Sequence, residues 1–146
     1  MSEVRRTVMI QRGGVEASRG EDAMDWKIEL IFVPVSDVDR AKDFYTSIGF
    51  HADIDVTPSP GLRFVQLTPP GSACSIAIGT GLGSQVPPGT LDVIQVVVAD
   101  ADAALAGLRA AGVAAEGVDE LDWGRFVTFA DPDGNRWAVQ QLTPYA

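Results

Sequence analysis

The 146-residue chain has one cysteine, one histidine and no basic excess. The single cysteine, Cys74, excludes an internal disulfide and any zinc cluster built on thiolates. A reducing, cytoplasmic location is the simplest compartment for such a chain. The single histidine, His51, follows a helix-ending glycine and reads as a surface residue at the start of a strand. No apolar run approaches the roughly 20 residues that cross a bilayer, so no membrane partner is expected. The first 23 residues contain no apolar core of the signal-peptide kind. Eleven Lys and Arg stand against twenty Asp and Glu, a net charge of −9. The first 23 residues hold four of each sign, so the body carries the whole acidic excess. Without a basic stripe to neutralise phosphates, nucleic acid is not an expected partner.

What is present is a globular composition, 46% hydrophobic and long enough to bury one core. Residues 1–24 read as a polar, flexible tail: they show no sustained period, and Gly13, Gly14 and Gly20 interrupt any helix. A chain starting naturally at Met24 fits the sequence equally well. Residues 25–146 read as a single domain built from an internal repeat. "IELIFVPVSDVDRAKDFYTSIGFHA" (28–52) matches "LDVIQVVVADADAALAGLRAAGVAA" (91–115) at an offset of 63, pairing Ile31 with Ile94, Val33 with Val96, Asp37 with Asp100 and Gly49 with Gly112. The offset continues through Gly61 and Gly124, Pro69 and Pro132, Gly71 and Gly134, and Thr80 and Thr143.

Each copy reads as βαβββ. A β-branched strand (28–35, 91–98) leads through an Asp-rich turn into a helix (38–48, 101–111) that Asp37 or Asp100 can cap. Gly49 and Gly112 stand where a helix-ending glycine belongs. Two further strands follow (50–56 and 62–68; 113–119 and 125–130), then a turn and a last strand (73–79; 136–142). Module one spans 26–80, a linker 81–90 and module two 91–143. The expected fold class is α+β, two βαβββ modules forming a concave mixed sheet with helices on the outer face. "GTGLG" (79–83) opens no helix and reads as linker, not as a phosphate loop.

"VPVSDVDRAKDFYTSIGF" and "FADPDGNRWAVQQ" resemble the vicinal oxygen chelate superfamily, which includes glyoxalase I, extradiol dioxygenases, fosfomycin-resistance transferases and bleomycin-resistance binding proteins. The resemblance covers about residues 26–143. It implies metal ligands on the first and last strands of the modules, at Leu30, Ser75, Val93 and Ala138. Only the Ser75 hydroxyl is a donor of any kind, so no metal and no cofactor are expected. Glu29 and Asp92 precede two of these slots. A bulge in both first strands would turn them inward as metal ligands or a general base, which makes them the catalytic candidates of an alternative lyase, isomerase or dioxygenase reading.

Strand alternation puts Leu30, Phe32, Val93, Gln95, Ala138 and Gln140 on the face opposite the helices. With Ser75 and Phe126 they are the candidate ligand-binding residues. Phe32 offers a stacking surface. Gln95 and Gln140 are amides that either satisfy each other or are satisfied by a ligand. Trp137 is directed toward the helix layer by the same alternation, and Cys74 reads as a small core residue. Arg63 and Arg125, on the third strands, could bind an anion but read as solvated. The expected function is metal-independent binding of an apolar or planar small molecule by a homodimer.

Overall fold

The computed structural model describes residues 24–143, so the expectations for the tail lie outside the described residues. In chain order the elements are β1 (Leu30–Phe32), α1 (Val38–Ser47), β2 (His51–Ser59), β3 (Leu62–Thr68), β4 (Ser75–Thr80), β5 (Ile94–Val97), α2 (Ala101–Ala110), β6 (Glu116–Leu121), β7 (Gly124–Ala130) and β8 (Arg136–Leu142). They form two four-stranded mixed sheets, ordered β1-β4-β3-β2 and β5-β8-β7-β6, each with one helix. The first strand of each module runs parallel to the last, and the other pairings are antiparallel.

Local chemistry explains the shared strand–turn–helix start. The carboxylates of Asp37 and Asp100 accept from the backbone N–H of Arg40 and Ala103, filling donors that a helix N-terminus leaves unpaired. Gly49 and Gly112 end the helices at φ of +108° and +86°, a region that residues with a Cβ avoid. The first strands are shorter than expected, three and four residues instead of eight. Proline at 34 has no N–H to extend the ladder of β1.

The offset of 63 holds over the first strand and helix, since α1 begins at 38 and α2 at 101. It then shortens. Leu67 faces Ile76 across β3 and β4, and Phe129 faces Trp137 across β7 and β8. Ile31 faces Ile76 as Ile94 faces Trp137, so the last strands are related by an offset of 61 (137 − 76) and the third strands by 62 (129 − 67). One residue is lost by the start of β2, where Ile54 faces Gln66 as Glu116 faces Thr128, and another in the loop before the last strand. Ala138 thus corresponds to Ala77, and Ser75 corresponds to Arg136.

The two modules meet through their helix-bearing faces. One cluster of buried residues contains Val33, Tyr45, Val65, Leu67 and Ile78 from module one with Leu108, Val127, Phe129, Trp137 and Val139 from module two. Trp137 stacks on Phe129 at 5.9 Å, and Tyr45 of α1 lies 5.8 Å from the Trp137 ring. The Tyr45 hydroxyl donates to Asp131 at 2.7 Å and accepts from Trp137 Nε1 at 3.1 Å. Burial, reinforced by the Asp131 carboxylate, pushes the Tyr45 phenol well above its ordinary pKa. The acids of the "DPDGN" turn are structural. Asp131 accepts from the backbone N–H of Asp133, Gly134 and Asn135, and Asp133 receives the Ser36 hydroxyl from module one.

Candidate ligand-binding site

The faces of the two sheets turned away from this core carry the sequence-predicted residues. On the first sheet, register sets Leu30 beside Ser75 and Phe32 beside Ala77, with Ala77 beside Gln66 and Gln66 beside Ile54. Phe32 is 49% exposed. Ser75 is fully buried and shares a 2.6 Å hydrogen bond with the Thr68 hydroxyl, which also donates to Asp53. On the second sheet, Gln95 lies beside Ala138, and Phe126 beside Gln140. Val93 and Val97 are exposed, Val97 to 60%.

Within one chain these two sets are not brought together. Leu30, Phe32 and Ser75 belong to one sheet; Val93, Gln95, Phe126, Ala138 and Gln140 belong to the other or lie just before it. The modules contact each other through the opposite, helix-bearing faces, so the concavity expected from side-by-side modules stays open. A groove of ≈450 Å³ does form on the first sheet, where the linker passes over β1 and β4. Phe32, Pro34, Ala77, Gly79, Leu82 and Val86 line it. No side chain fits at Gly79: a Cβ there would lie 2.0 Å from the Arg63 carbonyl oxygen and 2.7 Å from Leu82 Cδ1.

The two glutamines singled out from the sequence satisfy each other. Gln95 Nε2 donates to Gln140 Oε1 at 2.7 Å, and Gln140 Nε2 donates to the Trp123 carbonyl at 3.0 Å. Gly124 makes room for this, because a Cβ there would stand 2.7 Å from Gln140 Nε2. Sequence reasoning missed Gln66. It is 1% exposed, and neither its Oε1 nor its Nε2 has a hydrogen-bond partner. The signal was available: Gln66 alternates with Val65 and Leu67, both core residues, and so must face away from the core, on the side of the candidate residues.

Acidic and basic candidates are engaged elsewhere. Asp92 pairs with Arg136 at 2.8 Å with its side chain exposed, and Glu29 lends its backbone carbonyl to the Ser75 N–H. Arg63 binds Asp39 and Asp55, each at 2.8 Å, and Arg125 binds Asp102 at 2.9 Å. Hydrogen bonds from Arg63, then Lys42, hold the Asp55 carboxyl well below the usual carboxylate range. Cys74 is half-buried, and its thiol donates to the Ser75 carbonyl at 3.6 Å. Among the described residues no three His, Cys, Asp or Glu side chains converge on a point where a metal could sit. The residues at the expected ligand slots, Leu30, Ser75, Val93 and Ala138, do not fit a divalent cation. Three have no donor atom, and the Ser75 hydroxyl is committed to Thr68. No helix among the described residues is long and apolar enough to cross a membrane.

Residues 27–139 match the model of the glyoxalase/bleomycin resistance protein/dioxygenase superfamily. TnmS3, an antibiotic binding protein from Streptomyces sp. CB03234, is 36% identical, with 82% of this chain and 98% of that one aligned at a TM-score of 0.73. A glyoxalase/bleomycin resistance protein from the same organism is 37% identical over 79% of this chain and 100% of its own, with a TM-score of 0.69. A superfamily member from Sphaerobacter thermophilus is 28% identical, covering 81% and 98%, with a TM-score of 0.70. Among curated proteins, none is a significant match.

Proposed function

Because the chain belongs to the glyoxalase/bleomycin resistance/dioxygenase superfamily, we propose that it is a metal-independent binding protein for an apolar or planar small molecule. It acts by sequestration, and its working form is a homodimer in which the first sheet of one copy faces the second sheet of the other. The observation that carries this reading is the exposure of Phe32, Val93 and Val97 on faces whose expected metal slots offer one hydroxyl, that of Ser75, already bonded to Thr68. Two such faces, apolar and each unable to close on the other within one chain, enclose a site when copies pair. The resemblance to an antibiotic binding protein supports a small-molecule ligand.

Phe32 serves as the stacking wall, and Leu30 and Ser75 shape the pocket beside it. Val93, Gln95, Phe126, Ala138 and Gln140 supply the facing wall from the second copy. The enzyme alternative needs Glu29 and Asp92 turned inward, and the Asp92–Arg136 pair weighs against it.

Native mass spectrometry of the purified full chain tests this reading. The expected species is a dimer without bound metal that takes up planar aromatic compounds. About one Zn, Fe, Mn or Ni per chain, lost on Glu29→Ala, would overturn metal independence. Phe32→Ala is expected to weaken every bound compound, because most of the affinity comes from apolar burial at about 25 cal/mol per Å². If Phe32→Ala binds as well as the parent, Phe32 is not part of the site.

A further inference from the structure

Gln66 is the one buried side chain among the described residues whose polar atoms are all without a hydrogen-bond partner. Its setting is specific. It lies on β3, on the face opposite Val65 and Leu67, with Ile54 on one side and Ala77 on the other. Beyond Ala77 stands Phe32 of β1. Adjacent strands are about 4.8 Å apart, so Phe32 and Gln66 flank Ala77 at a separation of about 10 Å. Ala77 and Gly79, the smallest side chains on β4, form the floor of the groove beneath the linker. The next row of the sheet holds Thr68, which hydrogen-bonds Asp53 and Ser75.

A buried primary amide without partners is costly, and native structures rarely keep one unless something else completes it. The second sheet shows the usual solution, since Gln95 and Gln140 bond each other. We infer that the Gln66 amide is completed by the ligand and selects for a planar molecule bearing a hydrogen-bond donor and acceptor side by side on one edge, as in a lactam. An amide presents N–H and C=O side by side, and a lactam edge matches both at once. Stacked on Phe32 and lying over Ala77, a bicyclic lactam brings that edge to Gln66. Affinity then comes from the apolar face and selectivity from one residue. This deepens the reading proposed above and rests on it.

Three probes of one shape test the inference: 2-quinolone, N-methyl-2-quinolone and naphthalene, titrated against the full-length protein by calorimetry. The parent is expected to bind 2-quinolone at least about tenfold more tightly than its N-methyl derivative, since one unmade buried hydrogen bond is worth that much. Gln66→Leu removes an unpaired amide and keeps the volume. It is expected to melt at or above the parent temperature, to bind both quinolones equally and to hold naphthalene as well as before. If the parent binds naphthalene but does not prefer the free lactam, or if Gln66→Leu keeps the preference, the role of Gln66 is overturned while the small-molecule reading stands. If Gln66→Leu melts several degrees lower, the amide is already bonded in the ligand-free protein, to a second copy for instance, and the inference falls. If none of the three probes binds the parent, both readings fail together.

Discussion

One hydroxyl joins the two halves of the molecule. Tyr45, on α1 of module one, donates to Asp131 and accepts from Trp137, both of module two, and all three are buried. Replacing Tyr45 by Phe leaves the indole N–H without its acceptor and a buried carboxylate short of one donor. Each unpaired buried group costs about 1–3 kcal/mol, so Tyr45→Phe is expected to destabilise the chain by about 2–4 kcal/mol. Thermal unfolding checks this, and a change under about 0.5 kcal/mol would show that water replaces the hydroxyl. The same logic reverses the reading of Gln95. As a free amide it would tune ligand choice, but in the structure it caps Gln140, so Gln95→Leu should cost stability before it alters ligand ranking. Trp137 was legible as a core residue because alternation alone fixes its face. The partners of Gln95 and Gln140 were not, because adjacent strands pair by register, and register depends on loop lengths that composition does not encode.

At the level of elements, α1 and α2 are tied to their sheets by the same device. Arg63 reaches from β3 to Asp39 at the start of α1 and to Asp55 on β2; Arg125 reaches from β7 to Asp102 at the start of α2. The guanidinium that each arginine would have offered an anionic ligand is therefore already held by a carboxylate. Asp55 carries a pH signature. Its folded pKa lies below the ordinary value of 3.8, so its contribution is complete above that value and is lost as pH falls through the lower, folded one. The parent should lose melting temperature below about pH 4. Asp55→Asn, which cannot titrate, should start lower at neutral pH and show a flatter acid limb. An identical acid limb would mean the pair is fully screened. The helix caps are a second check, since Asp37→Ala and Asp100→Ala should each cost about 1 kcal/mol in chemical denaturation. Strand, cap, helix and terminal glycine were legible because each follows from residues within a few positions of one another. The slipping offset was not, because Gly and Pro recur in turns for local reasons and imitate an ungapped register, as Gly61 in a turn and Gly124 in a strand show.

At the scale of the whole molecule, two forces act on pairing. Phe32 and Val56 on one sheet, with Val97, Leu121 and Leu142 on the other, are large apolar side chains exposed on the single chain. Their burial favours a dimer, and a stable interface covers about 800 Å² per partner. Against this stands a net charge of −9 on each copy. Like charges repel over a distance set by salt, about 10 Å at 0.1 M. Association should therefore tighten as salt rises, the opposite of a dimer held by ion pairs. Analytical ultracentrifugation of the full chain across 0.02 to 0.5 M NaCl, concentrations chosen to span that screening length (~10 Å at 0.1 M), provides the measurement. The expected species at high salt has twice the 15.5 kDa chain mass. Val97→Asp places a charge on the face proposed to pair without touching the core, so it should give a folded monomer, with unchanged far-ultraviolet circular dichroism, that no longer holds planar compounds. A parent chain that stays monomeric at every salt concentration and still binds them would place the site within a single copy, in the groove between Phe32 and the linker.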